Sequence, residues 1–158
     1  MDIPDLRPDL SFHKLAATPE DIAFSFAVKR AAMGPHIIAK WGWDEALQRD
    51  MHAERYREKP FFAIMRRDVR LGVVSFQIGP DHCRFGKFYL FPAVQGQGMG
   101  TRILRHCLEL ADAHGLPVRL EHLIWSPVGS LYRRQGFEET ARSEVHCFME
   151  RRVFGRGG

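Results

Sequence analysis

The chain has 158 residues, 45% of them hydrophobic and 27% charged, with a formal net charge of +4. That length suits one compact domain with a sizeable core, and the composition excludes a disordered chain, a fibre or a repeat array. Lys and Arg are scattered, with no basic stripe of the kind nucleic-acid binders present, so no nucleic-acid partner is expected. Met1 to Pro8 lacks a basic start followed by an apolar run, and no stretch approaches the roughly 20 apolar residues of a membrane span. The expectation is a cytoplasmic, single-domain protein over residues 1–158 with flexible ends at 1–8 and 154–158, making no membrane contact.

Ser11 to Leu15 reads as a first strand. Thr18-Pro19-Glu20-Asp21 reads as a helix start, with a capping hydroxyl, proline in the first turn and acids at the positive end of the dipole. Ile22, Phe26 and Met33 fall at helical spacings, and Gly34-Pro35 is expected to end that helix. A second helix is expected from Asp44 to Glu58. After Pro60 the period changes: Phe61 to Arg66 and Leu71 to Ile78 read as a hairpin, and Gly79-Pro80-Asp81 turns into a strand from His82 to Phe91.

A glycine-rich loop at 95–100 follows, then a helix to about His114 with Ile103, Leu104, Cys107, Leu108 and Ala111 on one apolar face. Val118 to Trp125 reads as a strand. A short helix reaches Gln135, with Gly136 at its C′ position. Phe137 to Arg142 and Val145 to Val153 form a last hairpin, and Gly155 to Gly158 a frayed tail. The fold class is α+β: a mixed, mostly antiparallel sheet of about six or seven strands flanked by about four helices.

Cys83, Cys107 and Cys147 each follow a histidine. Adjacent side chains of a strand point to opposite faces, so such a pair does not readily ligate one ion, and no zinc-type spacing is present. Buried reduced thiols, and no metal, are expected.

The chemistry concentrates in Phe91-Pro92-Ala93-Val94-Gln95-Gly96-Gln97-Gly98-Met99-Gly100-Thr101. Alternate glycines where a strand gives way to a helix bring free N–H groups and the helix dipole to one place, which suits a phosphate. A Walker loop needs a lysine after the last glycine, and Thr101-Arg102 stands there instead. A dinucleotide fingerprint needs glycines one and then two residues apart, which Gly96, Gly98 and Gly100 do not provide.

Gln95, Gly98 and Gly100, with Pro92 upstream, resemble the pyrophosphate loop of the GNAT superfamily of N-acetyltransferases: Gln or Arg, two residues, Gly, one residue, Gly or Ala. A second segment, Ser126-Pro127-Val128-Gly129-Ser130-Leu131-Tyr132-Arg133-Arg134-Gln135-Gly136-Phe137, is similar to the stretch that in this family often begins Asn-Pro and ends Leu-Tyr, three residues, Gly-Phe. Two positions depart from the pattern. Ser126 replaces the asparagine, though it is expected to cap the helix, and Gly129 brings no side chain where one is usual.

The resemblance implies that acetyl-CoA is the cosubstrate. Its pyrophosphate would lie on Gly96, Gln97, Gly98, Met99, Gly100 and Thr101, its pantetheine arm beside Leu90 and Phe91, with Gln95, Ser126 and Tyr132 nearby. It further implies direct transfer of the acetyl group to a primary amine of a small molecule or peptide, through a ternary complex. Dimerisation is common in the family. Tyr132 is the candidate general acid for the departing thiolate, since a phenol of pKa about 10 stays protonated at neutral pH. The base that deprotonates the amine is a carboxylate, a histidine or a chain of waters. Glu121 is the candidate, and the adjacent His122 reads as a satisfied sheet histidine. Trp41, Trp43, Asp44 and Glu45 would hold a cationic acceptor by indole faces and carboxylates, or else cap a helix and pack. The alternative to an enzyme is a non-catalytic acyl-CoA-binding sensor or partner module.

Overall fold

The structure, a computed structural model, describes residues 2–124 and 126–153, with the side chains of all of these but His36, Lys40 and Trp41. Trp125 and the expected tail at 154–158 lie outside the described residues. The elements run β1 (Leu10–Lys14), α1 (Pro19–Trp41), α2 (Glu45–Glu58), β2 (Phe62–Arg66), β3 (Val69–Ile78) and β4 (Cys83–Leu90). A single 3-10 turn (Pro92–Val94) precedes α3 (Met99–Ala113), β5 (Val118–Leu123), α4 (Gly129–Arg134), β6 (Glu138–Arg142) and β7 (His146–Arg151). The strands form a mixed sheet in the order β1-β2-β3-β4-β5-β7-β6. The β4–β5 pair is parallel, while β1–β2, β2–β3, β5–β7 and β6–β7 are antiparallel. No helix among the described residues is long and apolar enough to cross a membrane.

Two compact units divide the chain: residues 2–75 with 87–100, and residues 76–86 with 101–158. In the first, α1 is capped as its sequence requires, the Asp21 N–H donating to Thr18 Oγ1 at 3.2 Å. Asp44 does the same for α2, accepting from the Leu47 N–H at 3.1 Å. Gly34-Pro35 does not end α1, which continues to Trp41 and stops at Gly42. Proline inside a helix removes one hydrogen bond, and its ring crowds the Cβ of the residue before it. That residue is glycine, so the second penalty is absent and the helix runs on. The core of this unit gathers Val28, Tyr56, Phe61 and Val73, with Leu15, Ile22, Phe24, Tyr89 and Phe91 packed against them.

In the second unit the predicted apolar face of α3 is buried throughout, each of Ile103, Leu104, Cys107, Leu108 and Ala111 being at most 3% exposed. Arg151 of β7 grips Asp112 of α3 through two 3.0 Å hydrogen bonds, a fork-to-fork pair that fixes strand against helix. The cysteines are free and buried, and burial raises the pKa of all three thiols, to about 12 at Cys107. Among the described residues, β5 pairs with β4 at Cys83↔Val118 and Arg84↔Arg119. Leu120 to Leu123 pair with Met149 to His146 of β7.

Candidate functional site

The 3-10 turn ends in hydrogen bonds from Val94 N–H to Phe91 O at 3.0 Å and from Gln95 N–H to Pro92 O at 3.2 Å. Gln95 then folds its side chain back, Nε2 donating to Leu90 O at 2.9 Å, and Gln97 Nε2 reaches Ala93 O at 3.3 Å. These bonds pin a loop whose outer surface is bare backbone. Gly96 and Gly98 hold φ of 77° and 76°, the left-handed region that side chains avoid, and a Cβ on either would meet nothing within 4 Å. Among the described residues, no hydrogen bond uses the N–H of Gly96, Gln97 or Gly98. The first N–H groups of α3 follow directly, without intrahelical acceptors. Open space, unpaired donors and a helix N-terminus of 15 residues fit a doubly charged pyrophosphate.

The end of β4 is held as firmly. Phe91 N–H donates to Leu71 O at 3.0 Å. Strand alternation therefore turns the N–H and C=O of Leu90 to the opposite edge, where Gln95 occupies the carbonyl. Within β4, Lys87 takes φ 45°, a conformation that costs a non-glycine residue about 1–2 kcal/mol. Gly72 on β3 leaves room for this arrangement: a Cβ there would stand 2.1 Å from Tyr89 O and 2.9 Å from Leu90 Cα.

In the second unit, Tyr132 of α4 is 6% exposed. Its ring lies 6.3 Å from Phe85, 5.7 Å from Phe137 and 5.9 Å from His122, centroid to centroid. His122 is not the satisfied sheet histidine its position predicts. Its Nδ1 lies 2.8 Å from Leu123 O, which requires the proton there, and its Nε2 is buried with no hydrogen-bond partner among the described residues. Gly129 makes the room: a Cβ at that position would come within 3.1 Å of His122 Cε1 and 3.2 Å of Nε2. The missing side chain on α4 and the histidine on β5 thus form one feature. Glu121 faces the other way, exposed, and among the described residues its carboxylate has no hydrogen bond or ion pair.

Ser126 does not cap α4. Its hydroxyl accepts from the Val128 N–H at 3.4 Å, and the cap position falls to Val128, which offers no side-chain acceptor. The reason is that the helix starts later than Pro127, so the serine closes a turn before it.

The connection between α1 and α2 spends its polar groups locally. Trp43 Nε1 donates to Glu45 Oε2 at 2.6 Å, and Arg49 and Arg30 lie 3.3 and 3.7 Å from that carboxylate. The Trp43 hydrogen bond, with the two arginines, holds Glu45 below the ordinary carboxylate range. Asp44 is the helix cap, and the side chain of Trp41 lies outside the described residues. Sequence reasoning missed three buried polar groups of α1 and α2: Ser25, Lys29 and His52, each at most 5% exposed. Their signal was present, since Ser25 and Lys29 share the helical register of Ile22 and Phe26.

A family model described as an acetyltransferase (GNAT) domain matches residues 57–139, more than half of the chain. A search of curated proteins gave no match. Among solved structures, the fold is similar to the PaiA N-acetyltransferase of Thermoplasma acidophilum, crystallised with coenzyme A, at TM-score 0.72 and 17% identity over 92% of this chain and 99% of that one. An acetyltransferase of Thermus thermophilus gives TM-score 0.68 and 17% identity over 96% and 99%. The ribosomal-protein-S18-alanine N-acetyltransferase of Escherichia coli gives 0.65 and 15% over 94% and 98%.

Proposed function

The chain belongs to the GNAT acetyltransferase family, and from that premise we propose that it transfers an acetyl group from acetyl-CoA directly to a primary amine of a small molecule or peptide. The loop at 95–100 carries the proposal: two left-handed glycines, bare N–H groups and the start of α3 together make a seat for a pyrophosphate. Gln95 shapes that seat by holding the Leu90 carbonyl. The Leu90 N–H, turned to the edge opposite β3, is the donor for the thioester oxygen as negative charge develops on it.

The amine attacks the thioester carbon itself, so no protein nucleophile is needed. The three thiols, buried and held protonated, are unsuited to that role. Tyr132 gives its phenolic proton to the departing thiolate. Glu121, an exposed carboxylate with no competing cation among the described residues, takes the proton of the amine. A non-catalytic acyl-CoA binder would keep the loop and would need neither group.

The test is acetyl-CoA-dependent thiol release across a panel of amines. Tyr132→Phe is expected to lower kcat at least tenfold and leave the Kd for acetyl-CoA unchanged. Glu121→Gln is expected to lower kcat at neutral pH and to recover at alkaline pH, where the amine deprotonates unaided. Full activity of Tyr132→Phe would remove the proposed acid.

A further inference from the structure

β5, β7 and β6 present two faces of different character. In β7, Cys147, Met149 and Arg151 are buried, and His146, Phe148 and Glu150 between them are half-buried. Directly opposed residues of an antiparallel pair share a face, so the register lays out the half-buried face in rows. Arg119 of β5, Glu150 of β7 and Glu138 of β6 form one row, and Glu121, Phe148 and Ala141 the next. Leu123 and His146 follow. The Arg119–Glu150 bond at 2.8 Å shows that the first row lies on one side of the sheet.

The second and third rows make a shelf with one charged edge. The Phe148 ring stands 6.2 Å from the His146 ring, centroid to centroid, and Leu123 lies across from His146. Phe148 has exposed neighbours on both sides, Glu121 on β5 and Ala141 on β6, and Ala141 sets only a methyl group beside the ring. Opposed Cβ atoms of such pairs lie about 4.5–5.5 Å apart, which brings the Glu121 carboxylate within reach of the Phe148 ring.

No cation of the protein meets this carboxylate. Arg119 is taken by Glu150 at 2.8 Å, and Arg142 by Glu139 at 2.6 Å. Among the described residues, neither Glu121 nor Glu138 has a hydrogen bond or an ion pair. The acceptor seat expected between α1 and α2 is the contrary case, with Glu45 bound by Trp43 and two arginines and Asp44 capping α2. An unpaired carboxylate at the edge of an aromatic shelf matches a molecule with an ammonium group at one end and an apolar body at the other.

We propose that this face seats the acceptor, a primary amine on an apolar, ring-bearing body, with its ammonium at Glu121 and its body across Phe148, Ala141 and His146. The assignment rests on the acetyltransferase reading, in which Glu121 takes the proton of the amine. An amine without such a body gains only the attraction of an exposed carboxylate, which solvent and salt screen.

Calorimetric binding of defined probes tests the seat apart from turnover. Phenethylamine is expected to bind the wild type at least tenfold more tightly than ethylamine, and than 2-phenylethanol, which lacks the charge. Glu121→Gln is expected to lose the preference for the amine over the alcohol. Ala141→Trp places a ring beside Phe148 at an exposed edge-strand position, where aromatic residues are tolerated. It is expected to weaken phenethylamine at least tenfold and to leave the Tm and the acetyl-CoA Kd unchanged. In turnover, phenethylamine is expected to exceed ethylamine at least tenfold in kcat/KM, an advantage that Ala141→Trp removes through KM. No binding of phenethylamine, equal binding of ethylamine or of the alcohol, or undiminished binding by Ala141→Trp would overturn the proposal. So would a concentration-dependent dimer in sedimentation that Ala141→Trp disrupts, because a second copy would then cover the face. Probe binding as expected, without transfer from acetyl-CoA to any amine, would keep the seat and overturn the acetyltransferase reading instead.

Discussion

Gly96 and Gly98 are glycines for conformation alone, since no protein atom stands where their side chains would be. Replacing Gly98 by alanine adds the left-handed penalty of about 1–2 kcal/mol without a clash inside the protein. It also puts a methyl group where the phosphate would approach. The expected result is a small loss of stability and at least a tenfold rise in the acetyl-CoA Kd by calorimetry; unchanged affinity would mean that the loop does not hold the cosubstrate. The spacing of these glycines was legible in the sequence because a loop motif is local. His122 was not legible, because its unpaired Nε2 depends on Gly129, which comes near it only through the fold. Lys29 was half legible: its helical register was visible, but its burial was not, because burial depends on how the fold packs around α1.

The elements were read more securely than their ends. The succession of strands and helices and the α3 face follow from period changes and apolar spacing, which are properties of whole segments. Boundaries moved wherever one residue softened a rule. Gly34 let Pro35 stay inside α1, and a late start of α4 left Ser126 in a turn. Gly72 shows the reverse case, a glycine inside a strand whose missing side chain is required by its neighbour. Gly72→Ala would drive a methyl group into the Tyr89 carbonyl, displacing the end of β4 and the loop that Gln95 ties to it. A loss of about 1–3 kcal/mol in urea unfolding, with weakened acetyl-CoA binding, is the expected outcome. A stable variant with full affinity would show that β3 and β4 yield there freely.

Over the whole molecule, the buried ammonium of Lys29 makes stability depend on pH in a particular direction. Lys29 has its pKa at about 8 in the folded protein and an ordinary value of 10.5. Between these values the unfolded chain binds more protons, so this group's contribution to stability rises with pH through that window. Tyr56, Tyr89 and Cys107, each raised to about 12, pull the opposite way above their ordinary values. The informative quantity is therefore the difference between the wild type and Lys29→Met. The advantage of the variant is expected to shrink by about 2–3 kcal/mol from pH 8 to pH 10.5. A constant difference would mean that Lys29 is not buried as a charge.

The most direct measurement is thiol release by the wild-type protein with acetyl-CoA and a panel of primary amines, with the acetylated product identified by mass spectrometry. The account predicts release that requires both the protein and an amine and that forms the N-acetyl product one for one. Tight acetyl-CoA binding with no amine-dependent release, or no acetyl-CoA binding at all, would contradict it.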